Sequence, residues 1–308
     1  MTHRFVLRKT DEAYPDALRA DAGTACELYG VGDPSALTPG VAVIGARDAT
    51  PYGLRASAMV AEWAASAGVT VYSGAARGCD QAAHRAALAA GGKTVAVLGC
   101  GPDVVYPASA GKLLTEIARD GAVVSPFTWG TPPARYRFPV RNRIIAALAS
   151  LIVVTEAKVP SGTFSTVRYA AELDTDVAAV PGSIFSRFAD APNRLIADGA
   201  TVITRCEDLL SALDRLSLHV VGEVAVPGQP PEDEAKAHDD PPLDRRILRA
   251  LAAQPLSVVG LAGALRADPT TVARTIERMA VNGRITRFAD GTYMALGQHA
   301  CATLFPHG

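Results

Sequence analysis

Six short apolar runs recur between residues 41 and 180: VAVI (41–44), VTVYS (69–73), TVAVL (94–98), AVVS (122–125), LIVVT (151–155) and VAAV (177–180). Each is continuous rather than alternating, as expected of strands buried on both faces of a parallel sheet. Between them, apolar residues at helical spacing predict helices over Leu54–Ala67, Asp80–Ala90, Ala110–Arg119, Arg141–Ala149 and Phe164–Leu173. Strand, helix, strand at this rhythm predicts an α/β domain over residues 40–217, an extended Rossmann-like, mostly parallel sheet with helices on both faces. Residues 1–39 are expected as an extension leading into that sheet.

The pattern breaks after Leu218. The segment 218–242 is rich in proline and acid, lacks a helical period and reads as a linker. Helical spacing returns in three short blocks from residue 243. Asp268-Pro269-Thr270 can open the third block, and Gly283 can end it. Ile285–Phe288, the turn Asp290-Gly291 and Tyr293–Leu296 predict a small hairpin. Three helices and a two-stranded wing predict a winged helix over 243–297, followed by a tail, 298–308.

Composition changes this picture little, and charge distribution more. No apolar run approaches the roughly 18 residues of a membrane span, so no membrane association is expected. Five cysteines (Cys26, Cys79, Cys100, Cys206, Cys301) are odd in number, far apart and without a CxxC pair. Neither a disulfide framework nor a zinc site is indicated, and a cytoplasmic location is expected. The net charge is -1, but the stretch Gly222–Pro242 holds six acids against Lys236 alone, leaving +4 on the rest. A near-neutral total is therefore compatible with a polyanionic partner.

In a parallel α/β sheet, ligands gather at the carboxyl ends of the strands. Those ends read GAR (45–47), SGAARGCD (73–80), GCG (99–101), SPFTWGTPPARYRFPVRNR (125–143), TEAKVPSGT (155–163) and PGS (181–183). Glycines there permit close backbone approach, and helix N-termini favour anions. Arg47, Arg77, Arg135, Arg137, Arg141, Arg143 and Lys158 are expected around one rim. A bland alternative leaves the glycines to turns and the arginines to solvent; six cationic loops favour an anion.

Nucleotide signatures are incomplete. Gly111-Lys112 lacks the earlier glycine of a Walker loop, and Gly99-Cys100-Gly101 lacks the third glycine of GxGxxG. No cofactor is expected. The stretch ARYRFPVRNR, with four arginines beside Tyr136 and Phe138, suits a longer polyanion carrying unstacked bases, hence single-stranded nucleic acid. Phe138 could stack on a base or plug its loop. Asn142 could touch a ligand or cap a helix beginning near Arg143. Asp80 and His84, four apart, suggest a hydrogen-bonded structural pair, and Asp80 could also hold Arg77. Cys79 and Cys100 read as packing residues, Glu156 as orienting an arginine, and Trp129 as a loop anchor.

The blocks VAVIGAR, VYSGAARGCDQAAHRAAL, TVAVLGCGPDVVYP, FPVRNRIIAALA, VVTEAKVPSGTFST and VAAVPGS resemble, in order, the signature blocks of the DprA/Smf family of bacterial DNA-processing proteins. The resemblance runs from about Tyr14 to Leu213. It implies an extended Rossmann fold without a dinucleotide cofactor or established catalysis. It implies binding of single-stranded DNA during natural transformation, homodimerisation, and loading of the RecA recombinase while single-strand-binding protein is displaced. By matching motifs, it assigns DNA binding to Arg47, to the loop Gly74, Ala75, Ala76, Arg77 and Gly78, and to Arg135, Arg137, Phe138, Arg141, Asn142 and Arg143. It adds Lys158, Ser161 and Gly162. The family's SGSLIT reads SGTFST here, and Pro160 replaces a common basic residue.

Two rivals remain at this stage. Pro160–Arg168, PSGTFSTVR, echoes the PGGxGTxxE loop of LOG-type nucleotide phosphoribohydrolases, but Arg168 replaces the expected glutamate. A nucleotide-sensing regulator with a duplex-reading winged helix would use Pro269–Ala280. That helix offers only Arg274 and Arg278 as base readers.

Overall fold

The apolar runs become strands of one sheet because their side chains are needed on both faces. Val41 and Val43 enter one core cluster, and Ala42 and Ile44 enter another. The computed structural model describes residues 3–21, 23, 27–159, 161–218, 243–253 and 255–295. The chain divides into two compact units, Met1–Pro227 and Gly228–Gly308. Beyond Leu218, the expected linker lies outside the described residues, as does the tail 298–308.

The first unit begins with β1 (Arg4–Arg8), α1 (Asp16–Ala20), β2 (Glu27–Gly32), β3 (Gly40–Ile44), α2 (Pro51–Ser66), β4 (Thr70–Ser73), α3 (Cys79–Ala89) and β5 (Thr94–Val97). It continues with α4 (Gly111–Asp120), β6 (Ala122–Ser125), α5 (Arg137–Leu148), β7 (Ala149–Val154), α6 (Thr163–Glu172), β8 (Asp176–Ala179), α7 (Asp190–Ala197), β9 (Thr201–Val202) and α8 (Cys206–Arg215). The strands lie in the order β1-β2-β6-β5-β4-β3-β7-β8-β9. From β6 across to β9 the pairing is parallel, while β1–β2 and β2–β6 are antiparallel.

The N-terminal segment is thus more than a lead-in, because it supplies two strands at one side of the sheet. Arg4–Arg8 alternates exposed and buried residues, as a strand with one covered face does. Helix α5 begins at Arg137, four residues before the expected start. Pro139 falls in its first turn, where the missing N–H is not required and the fixed φ suits a helix.

One face of the sheet packs Ile44, Val97, Val124 and Val154 against Ile144, Ile145 and Leu148 of α5 and Leu18 of α1. The other packs Val41, Val71 and Val153 against Val60 and Trp63 of α2 and Leu209 and Leu213 of α8. Fully burying a side chain of this size stabilises by about 1.5–3 kcal/mol. The backbone at the strand ends is therefore held firmly enough to position charged groups.

The second unit contains α9 (Leu243–Ala253), α10 (Val258–Leu265), α11 (Pro269–Val281) and the antiparallel pair β10 (Ile285–Arg287) and β11 (Tyr293–Ala295). Ser257 caps α10 by accepting from the Gly260 amide. Asp268 caps α11 by accepting from Thr271 N, with Pro269 following as expected. Ile247, Leu251, Leu261, Val272, Ile276, Met279 and Ile285 form its core.

Candidate nucleic-acid interface

The strand order reverses between β3 and β7, so the loops leaving the parallel strands open a crevice at their carboxyl ends. There a pocket forms where the loops after β3, β4 and β5 meet the first turns of α5. It is lined by Arg47, Gly74, Ala76, Arg77, Leu98, Gly99, Cys100, Tyr106, Pro107, Phe138 and Arg141. Gly78 draws two of these loops together: its φ is +79°, and a Cβ there would lie 2.6 Å from the Arg47 carbonyl oxygen. A side chain at Gly78 would push the two loops apart.

Arg141 lines the pocket and is only 5% exposed. Its Nη1 lies 3.9 Å from Asp80 Oδ2. Its buried Nε has no hydrogen-bond partner among the described residues. Burial lowers the Arg141 pKa from its ordinary value, opposed by Asp80, and burial raises that of Asp80, opposed first by Arg141. Guanidinium stays charged in proteins. Arg141 is therefore a buried cation whose single carboxylate partner is distant and whose donors are incompletely used.

Asp80 also accepts from the amides of Gly74 (3.1 Å) and Ala76 (3.3 Å). Glycines at the strand ends were expected to let the backbone approach an anion; in this loop a resident carboxylate already holds the Gly74 and Ala76 amides. The expected Asp80–His84 bond is absent as well. His84 Nδ1 pairs with Thr94 Oγ1 at 2.7 Å, and burial pushes the His84 pKa down to about 3. Nor does Asp80 hold Arg77, whose Nη2 lies 3.8 Å from Asp48.

Phe138 sits between cations. The guanidinium carbons of Arg47 and Arg141 lie 5.3 and 5.9 Å from its ring centre. Tyr106 packs beside it, with centroids 5.7 Å apart and planes at 37°. Tyr106, Pro107 and Leu98 line the pocket without having been singled out from sequence. Leu98 ends the apolar run of the β5 strand, and Tyr106 and Pro107 stand in the VYP that follows the GCGPD turn.

The other cations do not converge as expected. Arg143 donates to Asp21 Oδ1 and Oδ2 (2.8 and 2.7 Å) and to Glu172 (2.8 Å), so it ties α5 to the N-terminal segment and to α6 rather than joining the pocket. Arg137 donates to the Pro132 carbonyl and lies over Phe127 and Tyr136. Arg135 is exposed just before α5. Lys158 lies 4.1 Å from the centre of the Phe188 ring. Thus Arg47, Arg77 and Arg141 are brought together with Gly74, Ala76 and Phe138, whereas Arg135, Arg137, Arg143 and Lys158 lie outside the pocket lining.

Two more expectations change, for Asn142 and Glu156. Asn142 is inside α5, not at its cap, and donates to Ser165 Oγ at 2.7 Å. Its contact with the 161–165 turn places Ser161 and Gly162 beside α5. Ser161 Oγ is buried without a partner among the described residues, and Gly162 is the N-cap of α6. Among the described residues Glu156 pairs with no arginine; it accepts from the amide and hydroxyl of Thr50 at the start of α2. Trp129 is anchored against Tyr29 and Arg4. Burial raises the Cys79 pKa to about 11 and that of Cys100 upward too, as for thiols packed away from water.

A mostly parallel α/β sheet with a cationic pocket at its carboxyl ends defines the class of protein. Residues 5–214 match the family of DNA recombination-mediator protein A, and the chain belongs to that family. It is 42% identical over 187 residues to the putative DNA processing protein DprA of Mycobacterium tuberculosis, an alignment covering 61% of this chain and 48% of that protein. It is 39% identical over 205 residues to the DNA processing protein DprA of Streptococcus pneumoniae, covering 66% and 72% of the two chains. The chain therefore spans about half the length of the mycobacterial relative. The X-ray structure of the pneumococcal protein superposes with a TM-score of 0.64 at 38% identity, covering 67% of this chain and 73% of that one. A structure of DNA processing protein A from Helicobacter pylori, described for its single-stranded DNA binding mode, gives a TM-score of 0.61 at 29% identity. It covers 69% of this chain and 96% of that one.

Proposed function

We propose that this chain binds single-stranded DNA without cleaving it and hands the strand to RecA, as a mediator of recombination in natural transformation. The observation that carries the proposal is Arg141, buried in the pocket with an Nε that has no hydrogen-bond partner among the described residues and a carboxylate 3.9 Å from its Nη1. The H. pylori relative's described single-stranded DNA binding supports it.

The charge balance suits one phosphodiester. Asp80 faces Arg141 and Asp48 faces Arg77, leaving about one positive charge net among the lining groups, contributed by Arg47. A phosphate entering the pocket accepts from Arg141 and is screened by Arg47 and Arg77, and neighbouring phosphates meet Arg135, Arg137 and Lys158. Two such surfaces in a homodimer strengthen a modest contact per subunit. The second unit, read as a winged helix, serves as a contact module for protein or duplex. A cytoplasmic location and displacement of single-strand-binding protein complete the proposal. Among the described residues no helix is long and apolar enough to cross a membrane.

The test is a competition series with labelled oligo-dT against unlabelled single strands, duplexes and free AMP, with adenine release monitored alongside. Single strands compete best and no adenine appears. Stronger competition by duplex, or steady release of adenine, rejects the proposal.

A further inference from the structure

Arg47 differs from the other cations of the pocket. Asp80 faces Arg141 and Asp48 faces Arg77, but among the described residues no carboxylate pairs with Arg47. Its side chain is exposed and lies over the Phe138 ring. Where its guanidinium stands is therefore set by the backbone that carries it, the irregular stretch 45–50 between β3 and α2.

That stretch is pinned at both ends. Near its start the Cys79 amide donates to the Ala46 carbonyl at 3.1 Å. At its end the amide and hydroxyl of Thr50 donate to the two carboxylate oxygens of Glu156, at 2.8 and 2.5 Å. Thr50 in turn caps α2 by accepting from the Gly53 amide. Glu156 stands two residues beyond β7, is 3% exposed and takes no part in the pocket lining. A Cβ on Gly53 would come 2.1 Å from its Oε2, so the first turn of α2 is built around the carboxylate. Burial raises the Glu156 pKa, opposed first by the Thr50 hydroxyl. Burying an acid is costly, and its charge repels a polyanion. What the carboxylate supplies against both costs is the grip on Thr50.

We infer that Glu156 is a positioning residue for Arg47: its grip on Thr50 fixes the 45–50 stretch against the end of β7, and so places the Arg47 guanidinium over Phe138. The inference rests on the single-stranded DNA reading and deepens it. Charge and position pull in opposite directions here. Removing an acid near a polyanion strengthens binding through charge alone, whereas losing the grip on Thr50 weakens it.

The test is a double-mutant cycle on oligo-dT with wild type, Glu156→Ala, Arg47→Ala and the pair. Glu156→Gln is measured alongside, and each variant is first shown to melt cooperatively. Glu156→Ala weakens binding about threefold to tenfold, in the range for residues coupled through a backbone shift, and moves the salt slope toward that of Arg47→Ala. In the Arg47→Ala background the same change has no effect. Glu156→Gln, whose side-chain amide can accept from the Thr50 N–H and donate to its hydroxyl, keeps wild-type affinity within about twofold. Should Glu156→Ala fail to fold, Thr50→Val removes one of the two hydrogen bonds and gives a smaller loss that also vanishes without Arg47. The inference is overturned if Glu156→Ala binds as tightly as wild type or tighter, if its loss persists in the Arg47→Ala background, or if Glu156→Gln loses as much. Wild type that binds no oligo-dT rejects the DNA reading itself, and the inference with it.

Discussion

Gly74 and Arg141 occupy one space: a Cβ built on Gly74 would overlap Nη1 of Arg141 and stand 2.6 Å from its Nη2. The glycine is needed because a guanidinium fills the volume its side chain would take. The displaced group is the end of a flexible side chain, so Gly74→Ala is expected to affect the site more than the fold. Oligo-dT affinity falls at least about tenfold, while stability drops by about 1–3 kcal/mol, as for overpacking. Anisotropy and thermal melting measured on the same preparation check both.

Arg143, two residues along the same helix, is expected to behave in the opposite way. It bridges Asp21 and Glu172, and these partners raise its pKa, the hydrogen bonds it donates to Asp21 most of all. Arg143→Ala removes hydrogen bonds between charged groups worth about 1.5–3 kcal/mol, lowering the melting temperature. Oligo-dT affinity changes less than about twofold, well below the effect of a lost charged contact at one phosphate. Melting and binding curves of this variant and Arg141→Gln, side by side, separate the two arginines.

The sheet was legible in the sequence because strands buried on both faces need unbroken apolar runs; β3 to β8 all fall on such runs. Strands β1 and β2 were not legible, since RFVLR and ELYGVG alternate, carry charge or glycine and are short. The candidate site was half legible. Glycines and arginines at strand ends pointed to the right edge of the sheet. Which arginines converge depends on contacts between distant residues. Arg141 meets Gly74 and Asp80, and Arg143 meets Asp21, although both arginines stand in one motif. Helical geometry separates them: residues two apart on a helix do not share a face. Tyr106, which lines the pocket, stands in a loop after a turn rather than in a basic cluster.

His84 makes acid stability a further check. Its folded pKa of about 3 lies below the ordinary value of 6.5 through burial, then the charges of Arg141 and Arg85. Between those values the unfolded chain binds a proton that the folded one does not, so stability falls as pH drops from 6.5 toward 3. The slope from this group is at most about 1.4 kcal/mol per pH unit. His84→Gln is expected to flatten the dependence of urea midpoints between pH 6.5 and 4.5. An unchanged slope would mean the imidazole is charged or hydrated in the folded state.

The most direct measurement is anisotropy of labelled oligo-dT over a salt series, with wild type, Arg47→Ala and Arg141→Gln, each first shown to melt cooperatively. Wild type is expected to bind, with affinity falling linearly on a log–log plot against salt. Arg47→Ala lowers affinity and reduces the slope by about 0.7, the value for one single-strand phosphate contact. Arg141→Gln lowers affinity further. Wild type without detectable binding at low salt, or both variants matching its affinity and slope, would contradict a guanidinium pocket for single-stranded DNA.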